Sequence, residues 1–375
     1  MQLGPNQSLI GSSDFADRLA TPALLLDLPS FDANIQKMST LVAASGRKYR
    51  PHVKAHKSSL IGRRQLAAGA VGLCCATIRE AEAMAAGGLS GLLLTAPFAT
   101  EAAAARLHRI REQIAELIVV VESDRAIDAL TAGAETGRRI DVLIDIDMGM
   151  GRTGLTDPRE AVRLAKRVVA APQLRYRGVQ AYYGHLQHIP TLSERRAKLE
   201  EQWARLSGFT DALTATDLKP EIVSGGGTGT HHPDLAHGPF TEIQPGSYIF
   251  MDKQYGAVEL APGGSPFKTA LYVAARVVST VQPDRVIVDA GFKAMATDAG
   301  PAMLAAGAAA EATHQFMGDE HSALRFADPG HRPKLGDLVR LVAPHCDPTL
   351  NLHSQIHIVQ DGRLVDIWPI EARGY

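Results

Sequence analysis

Apolar runs of strand length alternate with segments of helical period over the first two thirds of the chain. The runs are unbroken, as in parallel strands buried on both faces, and lie at 71–77, 91–97, 116–123, 141–147, 176–182 and 221–224. The segments between them have helical spacing and lie at 79–87, 100–113, 125–136, 158–170 and 192–215. With Arg50–Lys54 as the first strand and Phe240–Gln244 as the last, about eight strand–helix units result. The pattern predicts an α/β chain with a (β/α)8 TIM barrel, ahead of a doubly wound sheet, which needs fewer units.

The alternation ends after Phe250. Beyond it, β-like runs separated by Gly and Pro turns lie at 268–281, 284–289, 337–343, 355–359 and 363–370. This change predicts a loose N-terminal arm at 1–20, a barrel domain at 21–250 and a mostly β C-terminal domain at 251–375. A strand at 21–28, followed by a helix at 29–44, stands outside the barrel count. It therefore belongs either to the barrel domain or to the β domain.

Charge and cysteine content limit the classes of partner. The 375 residues carry a net charge of −1 at a pI of about 6.9, which predicts neither a nucleic-acid nor a membrane partner. The longest apolar stretches are too short to cross a bilayer, and the N-terminus lacks the pattern of a signal peptide. The three cysteines, Cys74, Cys75 and Cys346, have no metal-binding or disulfide spacing. We therefore expect a cytoplasmic protein.

The segment Tyr49–Lys57 carries four titratable groups at the end of the first predicted strand. They are His52, Lys54, His56 and Lys57. A lysine at the carboxyl end of a barrel strand points into the mouth where active sites lie. In a desolvated pocket near other cations its pKa falls, and its free amine can form a Schiff base. This segment alone is equally compatible with a solvated basic turn.

Two small-residue turns follow the last two predicted barrel strands. They are Ser224–Thr230, with the order Ser-Gly-Gly-Gly-Thr-Gly-Thr, and Pro245–Tyr248, with the order Pro-Gly-Ser-Tyr. Glycines let backbone N–H groups approach an anion, and hydroxyl groups add donors. Barrels of this type hold phosphate groups in the loops after strands seven and eight. Together with a lysine on strand one, the turns predict pyridoxal 5′-phosphate (PLP), with its carbonyl at Lys54.

Five segments together resemble the D-threonine aldolase and D-serine dehydratase family, which has the alanine-racemase-like fold of PLP enzymes. The segments are Arg50–Lys57, Asp145–Arg152, Gln180–Tyr182, Ser224–Thr228 and Pro245–Asp252. The similarity extends from about Thr21 to the C-terminus. It implies that Lys54, rather than Lys57, binds the cofactor covalently. It also implies contacts from other cofactor-binding residues, namely Arg152, Tyr182, Gly225, Gly226, Gly227, Thr228, Gly246, Ser247 and Tyr248.

Arg152 and Gln244 have interpretations of their own. Arg152 follows a strand with two acids and a Gly-x-Gly turn, so its cation at the barrel mouth suits the phenolic oxygen of PLP. The alternative is a salt bridge to Asp147. In alanine racemases, a cationic residue precedes the Pro-Gly turn and faces the pyridine nitrogen. Here Gln244 has that place, and its effect on the ring stays open.

The segment Pro344–His353 contains a candidate metal site. In an extended chain His345 and Asp347 project to the same side, and imidazole plus carboxylate suits a divalent ion with open positions. Within the resembled family these two positions carry the metal, so we expect Mn²⁺, ahead of Mg²⁺ and Zn²⁺. The aldolases have His-x-Asp here and the dehydratases His-x-Cys, which favours an aldolase. Cys346, between the two, is expected to point away.

Further histidines follow the strand that ends at Tyr182. In the aldolases a histidine at the position of His188 lies beside the metal and the substrate hydroxyl, so His188 is a catalytic candidate. His185 either shapes the substrate pocket or is a loop residue bonded to backbone. The remaining candidates are expected to be structural or solvated, namely His231, His232, His237 and His357.

The resemblance predicts a PLP- and metal-dependent carbon–carbon lyase. The expected reaction is cleavage of a D-3-hydroxyamino acid, of the D-threonine or phenylserine type, to glycine and an aldehyde. Alternatives are a 3-hydroxy-D-aspartate aldolase, a D-serine dehydratase and, outside enzymes, a PLP carrier. A small-molecule amino acid is the expected partner. Because a second subunit completes the site in this fold family, we also expect a homodimer.

Overall fold

Two β-sheets organise the computed structural model of the protein, which describes residues 4–132, 138–305 and 312–374. Within these ranges, one sheet has eight parallel strands and the other has nine strands, most of them antiparallel. The predicted fold class, a TIM-like barrel with a C-terminal β domain, is confirmed. The end of the helix predicted at 125–136 lies outside the described residues.

The chain enters the fold through a short helix, a strand and a long helix. These are α1 (Phe15–Arg18), β1 (Ala23–Asp27) and α2 (Leu28–Ser45). The carboxylate of Asp27 accepts a hydrogen bond of 3.2 Å from the backbone N–H of Ser30. This cap satisfies one of the free donors at the start of α2, where Pro29 also favours helix entry.

The first sheet is a closed barrel of short parallel strands. They are β2 (Lys48–Tyr49), β3 (Leu73–Cys75), β4 (Leu92–Leu94), β5 (Leu117–Val121), β6 (Ile140–Asp147), β7 (Leu174–Tyr182), β8 (Ile222–Gly225) and β9 (Glu242–Ile243). Neighbouring strands are hydrogen-bonded in the order β2-β9-β8-β7-β6-β5-β4-β3. The barrel closes between β2 and β3, where the N–H of Cys74 donates to the Pro51 carbonyl at 2.8 Å.

Helices surround the barrel, and its strands separate an outer core from an inner core. They are α3 (Ser59–Ala67), α4 (Ile78–Ala86), α5 (Glu101–Gln113), α6 (Asp124–Ala132), α7 (Pro158–Ala170), α8 (Leu192–Thr214), α9 (His231–His237) and α10 (Lys253–Gly256). Alternate residues of β5 face different cores: Val119 belongs to the large outer cluster, and Ile118 and Val120 to a smaller inner cluster. Over the described ranges, no helix combines the length and apolarity required for a membrane span.

The second sheet contains the C-terminal strands and one strand from the N-terminal region. Its later strands are β10 (Leu271–Ser279), β11 (Arg285–Val288), β12 (Met303–Leu304), β13 (Thr313–Phe316), β14 (Ser322–Arg325), β15 (Leu338–Val342), β16 (Gln355–Gln360) and β17 (Arg363–Pro369). A helix, α11 (Cys346–Asn351), connects β15 to β16. β1 pairs with β10 and β16, so the strand left open by the sequence lies in this sheet. Strands β12 to β14, of two to four residues each, were not predicted.

The first barrel strand is earlier and shorter than predicted. β2 ends at Tyr49, whereas the sequence predicted a strand at Arg50–Lys54. Lys54 lies instead in a 3₁₀ turn, Val53–Ala55. Pro51 has no N–H to donate on the β3 side, which ends the regular strand. On the β9 side the N–H groups of Arg50 and His52 still donate to the carbonyls of Ile243 and Pro245, each at 2.9 Å.

Candidate active site

Lys54 lies at the barrel mouth, in the turn that follows β2. Its side chain is 40% exposed, and its Nζ lies 3.1 Å from Oδ2 of Asp347. The negative charge of Asp347 raises the pKa of Lys54 above its ordinary value and outweighs burial, which acts in the opposite direction. The expectation that neighbouring cations lower this pKa is wrong, because the ion-pair partner of Lys54 is a carboxylate.

Lys57, three residues further on, is committed to a different partner. Its Nζ lies 2.7 Å from Oε1 of Glu80, and the two side chains are only 9% and 1% exposed. The other carboxylate oxygen of Glu80 accepts a hydrogen bond from the N–H of Ala76 at 2.6 Å. The buried ion pair occupies Lys57, so Lys54 is the lysine of this segment that a ligand can reach.

A cavity of about 380 Å³ opens beside Lys54, and we call it the cofactor cavity. Its volume is that of a small-molecule site. His52 fixes the wall next to the lysine: its Nδ1 accepts from the N–H of Lys54 at 3.4 Å, and its Nε2 lies 3.2 Å from the hydroxyl of Thr95. Arg152 and Tyr182 line the same cavity. The structure therefore brings Lys54, Arg152 and Tyr182 together.

A chain of buried polar groups forms one side of the cofactor cavity. The amide of Gln180 donates to Oδ1 of Asp145 and to the carbonyl of Thr95, each at 2.9 Å. The amide of Gln244 donates to the hydroxyl of Ser224 at 2.9 Å. Burial raises the pKa of Asp145 to about 6. Gln244 thus presents a neutral, fixed amide to the cavity in place of a cation.

An ion pair lies behind this chain and anchors it to the barrel. The hydroxyl of Ser224 donates to Oε1 of Glu242 at 2.8 Å. Arg50 binds Glu242 through two hydrogen bonds, of 2.9 and 3.1 Å, and both side chains are buried. A two-point arginine–carboxylate contact is strong and directional. It connects the ends of β2, β8 and β9, which surround the cavity.

Arg152 extends over Tyr182 at the cavity entrance. Its guanidinium carbon lies 5.6 Å from the centre of the Tyr182 ring. The alternative salt bridge from Arg152 to Asp147 is not formed in the described ranges. Oδ1 of Asp147 accepts instead from the N–H groups of Met150 and Gly151, at 3.0 and 3.1 Å. The exposed guanidinium of Arg152 therefore remains available for an anionic ligand atom.

The first glycine turn leaves no room for side chains. Gly225 ends β8, and Gly226 has a φ of +64°, which disfavours other residues. A Cβ on Gly226 would lie 2.5 Å from Oδ2 of the buried Asp234. Within the described residues, the backbone N–H of Gly226 has no hydrogen-bond acceptor. Such a donor is what a phosphate group requires.

The remainder of this turn is bound to the turn after β9. The N–H of Gly227 donates to the hydroxyl of Thr230 at 3.1 Å, and the hydroxyl of Thr228 accepts from the N–H of Tyr248 at 3.1 Å. The hydroxyl of Tyr248 accepts from the amide of Gln65 at 3.2 Å, and its ring is fully buried. Tyr248 therefore packs in the core and connects the two turns, while its side chain lies away from the cavity.

Gly246 and Ser247 bring the second turn to the Lys54 segment. A Cβ on Gly246 would lie 3.4 Å from Cβ of His52, in close contact. The hydroxyl of Ser247 donates to Oδ1 of Asp347 at 3.3 Å. The second turn therefore lies between Lys54 and the candidate metal residues.

His345 and Asp347 are not in an extended segment, so that part of the prediction is wrong. Cys346 begins α11, its N–H donates to Oδ2 of Asp252 at 2.8 Å, and Pro348 in the first turn favours helix entry. The thiol of Cys346 does not point away, since it donates to Oδ1 of Asp347 at 3.3 Å. The described ranges contain no cluster of three or more metal-binding side chains. The candidate metal set is thus the pair His345 and Asp347.

The charges around Asp347 keep it ionised. Burial alone would raise the pKa of Asp347, but the charges of Lys54 and His345 hold it well below its ordinary value. An ionised carboxylate beside an imidazole is a suitable donor set for a divalent ion that keeps water ligands.

A second cavity, of about 740 Å³, opens on the other side of Lys54 and Asp347, and we call it the rim cavity. Asp298 and His345 both line it, and Nδ1 of His345 lies 2.7 Å from Oδ2 of Asp298. Asp298 was not predicted from the sequence. It lies in the loop after β11 and belongs to no motif, so only the fold brings it to His345.

His188 lies close enough to Lys54, His345 and Asp347 for their charges to act on its imidazole. Burial first, and the nearby charges of His345 and Lys54 next, lower the pKa of His188 to about 4. Its Nε2 is buried and has no hydrogen-bond partner in the described part of the chain. A neutral imidazole with an unpaired nitrogen can accept a proton. His185 differs, since its side chain is exposed.

The histidines expected to be structural have backbone partners where they are buried. Nδ1 of His231 lies 2.8 Å from the carbonyl of Thr228, and Nδ1 of His357 lies 3.0 Å from that of Leu24. His232 and His237 lie on the short helix α9, away from the residues that line either cavity.

Two family models match the chain. The model described as alanine racemase, N-terminal domain, matches residues 26–254. The model described as putative serine dehydratase domain matches residues 270–359. The first match contains Lys54, Arg152 and both glycine turns, and the second contains His345 and Asp347.

Relatives match over nearly the whole chain. The chain is 38% identical to a D-threonine aldolase of Arthrobacter sp. over 360 residues, covering 96% of this chain and 94% of the relative. It is 37% identical to a 3-hydroxy-D-aspartate aldolase of Paracoccus denitrificans over 362 residues, covering 95% and 92%. The solved structure of D-threonine aldolase from Filomicrobium marinum superimposes with a TM-score of 0.91 at 34% identity and 96% coverage of both chains.

Proposed function

Because this chain belongs to the alanine racemase N-terminal domain family and is a full-length relative of two aldolases, we propose that it is a PLP- and divalent-metal-dependent aldolase. Its reaction is the cleavage of a D-3-hydroxyamino acid at the Cα–Cβ bond to give glycine and an aldehyde. The observation that carries the proposal is the 3.1 Å contact between Lys54 and Asp347. It joins the candidate cofactor lysine of the barrel to the candidate metal ligand of the β domain.

The residues of the cofactor cavity suit PLP. Lys54 would hold it covalently, Arg152 and Tyr182 would contact its ring side, and the two glycine turns would bind its phosphate. The free N–H of Gly226 and the absence of side chains in the turn support the phosphate role. When bound, PLP supplies an electron sink for the carbon whose bond is broken. The buried core position of Tyr248 limits that residue to a backbone or supporting role.

His345, Asp347 and His188 suit the hydroxyl end of the substrate. A divalent ion on His345 and Asp347, with Mn²⁺ ahead of Mg²⁺ and Zn²⁺, would supply Lewis-acid chemistry there. His188 accepts the proton of the β-hydroxyl on its Nε2, which is unpaired in the described part of the chain, and the lowered pKa keeps the imidazole neutral so that this nitrogen has a free lone pair. Lys54 delivers a proton to Cα, so glycine leaves with the proton count balanced.

The rim cavity favours an apolar substituent on the substrate β-carbon. Phe292, Met295 and Leu352 contribute apolar surface to it. Lys57, which also lines it, is already neutralised by Glu80 at 2.7 Å. A methyl or aryl group is therefore favoured over the carboxylate of 3-hydroxy-D-aspartate, which would need a free cation.

Product analysis over a substrate panel tests the function. Incubation with D-threonine, D-phenylserine, 3-hydroxy-D-aspartate and D-serine should give glycine plus aldehyde, with D-threonine or D-phenylserine cleaved at the highest kcat/KM. The match to a putative serine dehydratase domain favours one alternative, a dehydratase. Formation of a 2-oxo acid and ammonia would establish that alternative, and binding of PLP without turnover would indicate a carrier.

A homodimer and a cytoplasmic location complete the proposal. The resemblance to a fold family in which a second subunit completes the site supports the dimer. Three free, buried cysteines support a reducing compartment. Light scattering should give twice the 40.1 kDa chain mass. A fully active monomer would contradict the dimer.

A further inference from the structure

The imidazole of His345 is held by one carboxylate. Nδ1 of His345 lies 2.7 Å from Oδ2 of Asp298, and no other hydrogen bond to the ring is present in the described ranges. An ionised carboxylate can only accept, so the proton of the contact is on Nδ1. The lone pair on Nε2 is then the one free for a ligand.

The position of this pair argues against a purely structural purpose. The side chains of His345 and Asp298 are 25% and 53% exposed. Exposed contacts of this kind contribute little to stability. Both residues nevertheless line the rim cavity together with Lys54 and Asp347. The contact thus orients a group at the candidate metal position more than it stabilises the fold.

The two residues also reach the cavity from different segments. His345 immediately precedes α11, whereas Asp298 lies between β11 and β12. The side chain of His345 makes no capping hydrogen bond to α11. Among the described residues, the bond to Asp298 is the hydrogen bond that restrains rotation of the His345 ring.

We propose that Asp298 is a positioning residue that fixes the tautomer and orientation of His345 for a divalent ion. The inference rests on the proposed metal-dependent function and adds a residue to it. Carboxylates bonded to the far nitrogen of a ligating histidine fix the ring and raise its basicity. Their removal costs 10–100-fold in metal affinity as an order of magnitude.

The test is a Mn²⁺ titration of the PLP-loaded protein after chelation, followed by electron paramagnetic resonance of the free ion. Asp298→Ala should weaken Mn²⁺ binding about 10–100-fold. Asp298→Asn keeps an acceptor for Nδ1–H and should lose clearly less. Asp319→Ala is the control, because Asp319 is an exposed acid of the same domain that pairs with Lys293. All variants should keep the absorbance of the lysine-bound cofactor and the thermal midpoint of the parent.

The outcomes distinguish failure of the positioning role from failure of the proposed function. If the parent protein binds Mn²⁺ but Asp298→Ala binds it equally well, the positioning role is overturned and the aldolase proposal stands. If Asp298→Asn is as weak as Asp298→Ala, the orienting hydrogen bond is not the cause and the inference also fails. If the parent binds no Mn²⁺, Mg²⁺ or Zn²⁺, the proposed metal site is wrong, and so is the positioning role of Asp298 that rests on it.

Discussion

The two sides of the candidate site are constructed differently. On the barrel side, polar groups bond to one another in a buried chain that runs from Asp145 through Gln180 and Gln244. On the β-domain side, the contacts lie at the cavities themselves: Asp347 forms an ion pair with Lys54, and His345 forms a hydrogen bond with Asp298. The barrel side is therefore a fixed frame, whereas the β-domain side depends on charges that a ligand can replace.

This difference predicts that the two sides can be disabled separately. A buried, mutually bonded network holds its geometry whether or not a ligand is present. In an ion pair such as that of Lys54 and Asp347, each residue loses its partner when the other binds a ligand. Changes on the barrel side should abolish cofactor binding, and changes on the β-domain side should abolish metal binding while the cofactor stays.

The largest expected effect is that of Lys54→Ala. Removal of the amine should abolish both the absorbance band of a lysine-bound cofactor and all lyase activity, since Lys54 is the lysine that lines the cofactor cavity in the described part of the chain. Absorbance spectra of the purified protein with added PLP measure the band. Lys57→Ala is the matched control and should keep the band. A band that requires Lys57 and not Lys54 would reverse the assignment.

Metal removal should have the next largest effect on turnover. Chelation, or Asp347→Ala, should lower kcat on the order of 1,000-fold, because a Lewis acid contributes several kcal/mol. The cofactor band should remain, and Mn²⁺ should restore the chelated enzyme but not the variant. Full lyase activity after chelation would remove the metal from the reaction and leave His188 to act alone.

Lys57→Ala should act on stability rather than on chemistry. It would leave the carboxylate of Glu80, which is 1% exposed, buried without a counter-ion. Breaking such a pair costs about 3–5 kcal/mol, which denaturant unfolding can measure. Lys293→Ala, at an exposed pair that is 65% accessible on the lysine side, should stay close to the parent. Equal midpoints for the two variants would contradict the structural role of Lys57.

The smallest effect is expected at Cys346. Its thiol donates to Asp347 at 3.3 Å, and the hydroxyl of Cys346→Ser can donate in the same way. A hydrogen bond contributes about 1 kcal/mol, so activity should stay within about fivefold of the parent. Steady-state kinetics at saturating Mn²⁺ provide the measurement. Loss of metal binding in this variant, with Asp347→Ala unaffected, would indicate a His–Cys site and favour the dehydratase.

Local patterns predicted the barrel side well. Unbroken apolar runs gave the barrel strands, and glycine turns after two of them indicated where small residues gather. Pro51 was visible in the sequence, yet the strand was extended through it to Lys54. The regular strand ends at Tyr49, because Pro51 has no N–H to donate on the β3 side, although Arg50 and His52 still bond to the β9 segment. Lys54 therefore lies in a turn rather than in the predicted strand, but it is still at the barrel mouth.

The β-domain side was less predictable because its geometry depends on distant contacts. His345 and Asp347 were found from their spacing, but Asp347 lies in a helix whose first N–H, that of Cys346, donates to Asp252 from 94 residues away. Asp298 lies 47 residues from His345 and in no motif. Lys54 was expected to be surrounded by cations, yet the residue that sets its pKa is Asp347, a carboxylate from the other domain. Only the assembled fold contains this information.

The most direct test of separate cofactor and metal sides measures both ligands in the same three samples. The parent, Lys54→Ala and Asp347→Ala are each given PLP and Mn²⁺, and the cofactor band and bound Mn²⁺ are read together. We predict that Lys54→Ala loses the band and keeps Mn²⁺, whereas Asp347→Ala keeps the band and loses Mn²⁺. If either variant loses both ligands while folded, or if Asp347→Ala binds Mn²⁺ as the parent does, the two-sided account is wrong.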